Sequence, residues 1–198
     1  MLITEQFQAL VHKPIPMAQA MKIEKARQAV DKEWNDLAAK NSWNLKSVKP
    51  RAQVIAEAKA KGEHCHFGSL MDLCHEKSAE LDLPDHLKVY KGRVVFRGDQ
   101  VRDETGHLAV FTEQSASASS MSAAKMLDAI GRFPGCDSED SDANKAYTQV
   151  LFKDVNELLG GSDDAQIQAV TWISLPRNRR PAWWDEIDDP VCILERNL

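Results

Sequence analysis

From Ala18 to Lys40 the residues Ala20, Ile23, Ala26, Val30, Trp34 and Leu37 recur at steps of three or four positions. That spacing puts them on one face and predicts an amphipathic helix. The Asn41-Ser42 pair ends it, and Trp43 and Leu45 then alternate as in a strand up to Pro50. From Arg51 to Leu83 the apolar positions are Val54, Ile55 and Ala58, then Phe67, Leu70, Met71, Cys74 and Leu81, again at helical steps. Gly62 and Gly68 are expected to break this stretch into two helices, since a glycine costs about 1 kcal/mol in a helix interior. Past Pro84 the period shortens. Val89, Val94, Val95 and Phe96 form a β-branched, aromatic run bounded by glycines, and Leu108 to Phe111 come after a Glu104-Thr105-Gly106 turn, which predicts a strand pair. A serine-capped helix is predicted from Ser119 to Ile130, stopped by Gly131, and two short apolar runs lie at Ala169–Leu175 and Val191–Leu194. No internal repeat is visible. The pattern reads as an α+β chain in three stretches: an N-terminal extension over 1–17, a helical region over 18–83 and a strand-rich region over 84–198.

Composition narrows the class without naming a function. With 43% hydrophobic and 28% charged residues the chain has the make-up of an ordinary globular domain, not of a disordered one. No unbroken apolar run exceeds four residues, far short of the roughly 20 that a membrane-spanning helix needs. Residues 1–17 carry Glu5, His12 and two prolines where a signal peptide needs an apolar core. Cys65, Cys74, Cys136 and Cys192 are too few and too widely spaced for a disulfide framework. The expected location is cytoplasm or nucleus.

The balance of 25 basic against 30 acidic residues, a net charge of −5, argues against a surface that binds phosphate everywhere. Local charge differs. Lys88, Lys91, Arg93, Arg97 and Arg102 stand against the single acid Asp99, and Arg177, Arg179 and Arg180 form a second cluster. A nucleic-acid contact is expected at these two places; the alternative is that they are solvated faces of strands and loops.

Three clusters could carry chemistry. Asp137, Glu139, Asp140 and Asp142 repel one another unless a divalent cation or an arginine neutralises them. Asp140, Asp142 and Asn144 match the start of a calcium loop, but Lys145 stands where the turn needs glycine and Leu151 where the bidentate glutamate belongs, which excludes that loop. A solvated acidic turn and a catalytic magnesium ligand remain. His64, Cys65, His66, Cys74 and His75 offer nitrogen and sulfur for zinc, but Cys65 and Cys74 are nine residues apart, no C-x-x-C knuckle is present, and Cys74 falls on an apolar face with Leu70 and Leu81. Trp183-Trp184, after Pro181, reads as core and not as a platform for stacking bases.

In Asp142-Ala143-Asn144-Lys145-Ala146-Tyr147 an aspartate precedes, by five residues, an aromatic residue with a small residue before it. This resembles the first carboxylate motif of reverse transcriptases. Other segments resemble the copia-type retrotransposon branch of that family, in the same order. Ala29 to Leu37 with Asn41 to Leu45 resembles the opening helix and strand of its polymerase domain. Tyr90-Lys91-Gly92-Arg93-Val94-Val95-Phe96-Arg97-Gly98-Asp99-Gln100 is similar to its basic fingers strand, K-A-R-L-V-A-[KR]-G-x-x-Q. Trp172-Ile173-Ser174-Leu175-Pro176 and Asp189-Pro190-Val191-Cys192-Ile193-Leu194 look like its Y-M-x-Q-P and V-C-K-L segments. With the helix from Ser119 to Ile130 leading to Asp142, which falls in the same order, they span most of residues 20–198.

The resemblance implies an incomplete fingers/palm fold with a helical N-terminal part, and RNA-directed DNA polymerase chemistry. In that reaction two Mg2+ ions stabilise the attacking and leaving oxygens of an in-line phosphoryl transfer. By resemblance Asp142 binds the metal as the catalytic carboxylate, Tyr147 lies under the sugar of the incoming nucleotide, Lys91 and Arg93 contact its triphosphate, and Arg97 contacts the template backbone. The implied partners are an RNA or DNA template-primer and deoxynucleoside triphosphates. The chain also departs from the family. It has no Y-x-D-D hairpin: Asp163-Asp164 come after Gly160-Gly161-Ser162 as a helix cap, and Asp188-Asp189 have Glu186 where the aromatic residue belongs. The ions would lack about half of their protein ligands, so the isolated chain is expected not to polymerise. The residues before Asp142 are acidic where the family has an apolar strand, and 51–83, more helical than the family's fingers, looks like an insertion. The expectation is an N-terminal fragment of a transposable element's Pol polyprotein, from a decayed element or an incomplete gene model. A non-enzymatic remnant that binds nucleic acid or protein is the alternative. A third expectation is a poorly folded fragment that exposes Val191, Ile193 and Leu194.

Overall fold

The structure, a computed structural model, describes residues 11–109, 121–137, 146–154 and 169–196. The stripe that starts at Ala20 folds as α1 (Met17–Ala20) and α2 (Glu24–Ala39), and it buries Ala20, Ala26, Val30, Trp34 and Leu37 as its spacing requires. Asn41, at φ 52°, turns the chain out of α2, and the Ser42 N–H donates back to the Leu37 carbonyl at 3.1 Å. β2 (Trp43–Pro50) starts at once. α3 (Arg51–Lys61) stops at Gly62, whose φ of 69° is left-handed, and the Glu63 N–H closes the cap on the Ala58 carbonyl at 3.0 Å.

Past Gly62 the structure corrects the expectation of a second helix. Residues Cys65–Lys77 form β3, a 13-residue strand at the centre of the sheet. The remaining strands are β1 (Lys13–Ile15), β4 (Val89–Phe96), β5 (Arg102–Asp103), β6 (Val170–Ser174) and β7 (Pro190–Leu194). β3 pairs antiparallel with β1, β4 and β5 and parallel with β6, while β7 joins β6 to β2. His75 faces both Pro14 and Lys91, and His66 faces both Asp103 and Thr171, so β3 is paired on both edges near each of its ends, while Leu70 to Leu73 pair with β4. β4 pairs with β3; of the Leu108–Phe111 run predicted to pair with β4, Leu108 bridges to Arg102, and Val110 and Phe111 lie outside the described residues. The division expected at 83/84 thus falls between two paired strands. The predicted insertion over 51–83 supplies the strand that organises the sheet.

Helices cover both faces of the sheet, unevenly. α2 lies on the side of Leu70, Cys74, Val94, Ile173, Cys192 and Leu194, and its Val30, Trp34 and Leu37 complete that core. Burying side chains of this size stabilises the fold by about 1.5–3 kcal/mol each. α3 places Val54 and Ala58 on the opposite side against Cys65, Phe67, Trp172 and Val191. Neighbouring residues such as Trp172 and Ile173 therefore enter different cores, as alternation in a strand covered on both faces requires. Val191 and Leu194, expected to be exposed, are 0% and 3% accessible because α3 and α2 cover them, and Ile193 packs beside the second core.

The chain divides into two compact units, Met1–Ala109 with Tyr147–Leu198, and Val110–Ala146. The sheet and α1 to α3 belong to the first. The second holds α4 (Met121–Gly131), the helix expected near Ser119–Ile130, on which Met126, Leu127 and Ile130 are exposed. Among the described residues no helix is long and apolar enough to cross a membrane.

Candidate functional site

The geometry of β4 arises from a glycine. A Cβ on Gly92 would lie 2.5 Å from the Ala29 carbonyl oxygen and 2.6 Å from the Val30 Cα, so its absence lets α2 seat directly on the strand. Gly92 and Val94 thus face the helix, and alternation sends Lys91, Arg93 and Val95 to the other side. Directly paired residues share a face. The rows on that side are Met71 with Val95, Leu73 with Arg93, Pro14 with His75 and Lys91, and Lys77 with Val89.

This is the face that α3 covers over the other half of β3, at Cys65 and Phe67. Over Met71 to Lys77 it is partly open: Met71 is 39% and Val89 54% accessible, and the Arg93 side chain 44%. The rows bring Lys77, Lys91 and Arg93 together with His75, and the His12 ring lies 6.5 Å from that of His75. These rows contain no carboxylate. Glu33 on α2 approaches from outside them, 3.9 Å from the Arg93 guanidinium, a loose surface pair worth little by itself. The face is a small apolar sheet surface carrying cations, suited chemically to phosphate groups.

Arg97 stands at the edge of this face. Its N–H extends the ladder to the Ser69 carbonyl at 2.9 Å, and its guanidinium lies 3.6 Å from Asp99. Of the other residues expected to act, all of Asp142 and the side chain of Tyr147 lie outside the described residues, as does the acidic loop beyond Asp137. The backbone just past Tyr147 is held firmly. Arg196 donates to the carbonyls of Lys40, Thr148 and Gln149 at 3.0, 3.1 and 2.9 Å, and Lys40 Nζ donates to Thr148 Oγ1 at 2.9 Å.

The second basic cluster has another use. Arg179 reaches Asp31 at 2.6 Å and lies 5.5 Å over the Trp34 ring, while Arg180 and Arg177 share Asp185 at 2.6 and 3.6 Å. The Arg180 hydrogen bond holds the Asp185 carboxyl below its ordinary range. Arg179 fastens the turn before β7 onto α2, and Arg177 and Arg180 close the turn on Asp185.

The structure also separates the cysteine and histidine cluster. Cys65 and Cys74 enter different cores on opposite faces of β3, about 30 Å apart along the strand. Burial pushes the Cys65 thiol up to about 11 and raises that of Cys74. Leu81, expected beside Cys74, is 42% exposed. Of the two tryptophans, Trp184 is fully buried as expected and Trp183 is 53% exposed. Among the described residues no group of three or more His, Cys, Asp or Glu side chains is placed to hold a metal ion.

Sequence reasoning picked out Lys91 and Arg93 but missed their companions on β3. Met71, Leu73 and Lys77 had no assigned role, and His75 entered only as a zinc candidate. No family model, curated protein or solved structure matches this chain.

Proposed function

We propose that this chain is the fingers and first palm portion of a copia-type reverse transcriptase, and that the open face of β3 and β4 binds phosphate groups of a nucleotide or template-primer. The observation that carries the reading is the division of β4. Gly92 and Val94 seat α2, while Lys91 and Arg93 share the face that α3 leaves uncovered. Two cations two residues apart on a strand lie about 6.6 Å from one another, a separation that neighbouring phosphoryl groups can bridge. Arg97 continues the same edge.

In this reading Lys91 and Arg93 neutralise charge on a bound triphosphate and hold it in place, which is the larger part of what a protein supplies to phosphoryl transfer. Mg2+ is the cofactor of that chemistry. Asp142 is the one ligand the resemblance supplies, and no described cluster completes a site for the ion, so no step of this proposal passes through a metal. The 198 residues contain no Y-x-D-D, and the chain alone is inactive as a polymerase in this reading.

The test is calorimetric titration of a deoxynucleoside triphosphate into the chain, with and without Mg2+, on wild type, Lys91→Ala, Arg93→Ala and Asp142→Asn. Binding weakened about tenfold by either cation substitution supports the proposal, a loss of about 1.4 kcal/mol. Weakening by Asp142→Asn only when Mg2+ is present supports the metal assignment. Binding indifferent to Lys91 and Arg93 overturns the reading. The alternative, a binding remnant without catalytic ancestry in use, is favoured if triphosphate does not bind and an oligonucleotide does.

A further inference from the structure

We infer that a groove between the C-terminal end of α2, the start of β2 and residues 151–153 docks a short acidic peptide of a partner protein. It uses none of the residues of the open β3 and β4 face and stands independently of the proposed function. The groove has a volume of about 720 Å³, within the range of sites that take a ligand. Four consecutive β2 residues, Trp43 to Lys46, line it. In a regular strand neighbouring side chains point to opposite faces. Here the pairing of β2 with β7 shifts register between Asn44 and Lys49, and the Lys46 N–H donates to Asn44 Oδ1 at 3.1 Å. A bulge of this kind re-aims side chains, and Leu45 and Lys46 are both exposed. Among the described residues β2 pairs with β7 alone, at the end of the sheet order.

The charges of the groove are uneven. Lys46, Lys153 and Arg196 line it against one carboxylate, that of Glu195, which already accepts from Asn44 Nδ2 at 3.3 Å. None of the three cations forms an ion pair with a described residue. Arg196 uses Nε and Nη1 on the neutral carbonyls of Lys40, Thr148 and Gln149, which leaves Nη2 for an anion. Beside these cations the wall is apolar, with the buried Trp43, the half-buried Leu151 and the exposed Leu45. The surplus of positive charge calls for carboxylates, and the wall calls for apolar side chains next to them. An extended peptide that alternates the two supplies both, with like side chains about 6.6 Å apart. A nucleic-acid strand would set sugar and phosphate against Leu45 and Leu151, and a lone small anion would leave that wall uncovered.

The experiment is fluorescence anisotropy of a short labelled peptide of alternating glutamate and leucine, titrated with the whole chain. The variants are Lys46→Ala, Lys153→Ala, their double, Leu45→Ser and, as a control on α3, the exposed Lys59→Ala. Amide spectra confirm that each is folded. The inference predicts saturable binding that salt weakens, a loss of about threefold for each groove lysine, about tenfold for the double, about threefold for Leu45→Ser and no change for Lys59→Ala. Equal loss with Lys59→Ala, equal binding of a lysine–leucine peptide, or no binding overturns it. Displacement of the peptide by glutarate at the same concentration assigns the groove to a small carboxylate, and displacement by an oligothymidylate assigns it to nucleic acid; either result also overturns the peptide assignment.

Discussion

Trp34 Nε1 donates to Asp72 Oδ1 at 2.6 Å, joining the middle of α2 to the middle of β3. Trp34 is 4% accessible, its ring meets Trp43 edge-on at 5.5 Å, and Arg179 covers it at 5.5 Å while pairing with Asp31. One indole thus satisfies an inward-facing carboxylate and anchors the turn before β7. Replacing Trp34 by Phe keeps most of the apolar contact and leaves Asp72 without its donor. The expected loss is about 1–3 kcal/mol of stability, read from urea midpoints. The pair Trp34→Phe with Asp72→Leu should recover part of it.

The same Asp72 explains why β3 was not legible. Phe67, Leu70, Met71 and Cys74 fall at steps of three, one and three, which is a helical period. The true period is two. Leu70, Asp72 and Cys74 point toward α2, and the polar member of that set interrupts the apolar alternation because a tryptophan 38 residues earlier satisfies it. Cys65 and Phe67 are buried on the other face, under α3. A strand covered on both sides and carrying one satisfied acid cannot be separated from a helix by period alone. α2, β2 and β4 were readable because each buries a simple stripe or run, and β6 and β7 stood out as short apolar runs. Lys91 and Arg93 were readable as a basic strand, whereas the neutralisation of Arg177, Arg179 and Arg180 depends on Asp31, distant in sequence, and on the fold of the turn to Asp185.

Gly92 separates two kinds of glycine. Gly92→Ala forces a methyl group against the backbone of Ala29 and Val30, and overpacking of this kind costs about 1–3 kcal/mol. Around Gly98 nothing lies within 4 Å of an added Cβ, so Gly98→Ala should change stability by less than about 0.5 kcal/mol. Thermal unfolding of the two variants checks the contrast. Equal effects would contradict the close approach of α2 to β4.

The cysteines should differ in reactivity. Cys136 is exposed, while Cys65, Cys74 and Cys192 are buried, and burial pushes the Cys192 thiol up to about 12. Since the thiolate is the nucleophile, iodoacetamide should modify Cys136 in the native protein and the other three only after unfolding. Peptide mass spectrometry at short exposure decides this. Rapid native labelling of Cys192 would contradict the packing of β7 under α2.

Stability should fall on acidification. Burial depresses the His66 titration, the Thr105 hydroxyl holds Asp103 below its usual range, and Arg180 does the same for Asp185. For each group the unfolded chain takes up its proton first, so the contribution is present above the unfolded value and is lost as the pH falls through the folded one. The decline should begin below about pH 6.5 with His66 and steepen below about pH 4 with the carboxylates. Urea midpoints across this range test it, and His66→Gln should flatten the first part. A midpoint that rises between about pH 7.5 and 5.5 would contradict the buried, neutral His66.

The central claim is that the uncovered face of β3 and β4 is the phosphate-binding surface of this chain. Amide chemical-shift mapping of a deoxynucleoside triphosphate titration tests it most directly. The largest shifts are expected to cluster at Leu73, His75, Lys91, Arg93 and Val95, with Arg177 to Arg180 unmoved. Shifts centred on that arginine turn, or a saturating titration that leaves β4 unperturbed, would contradict it.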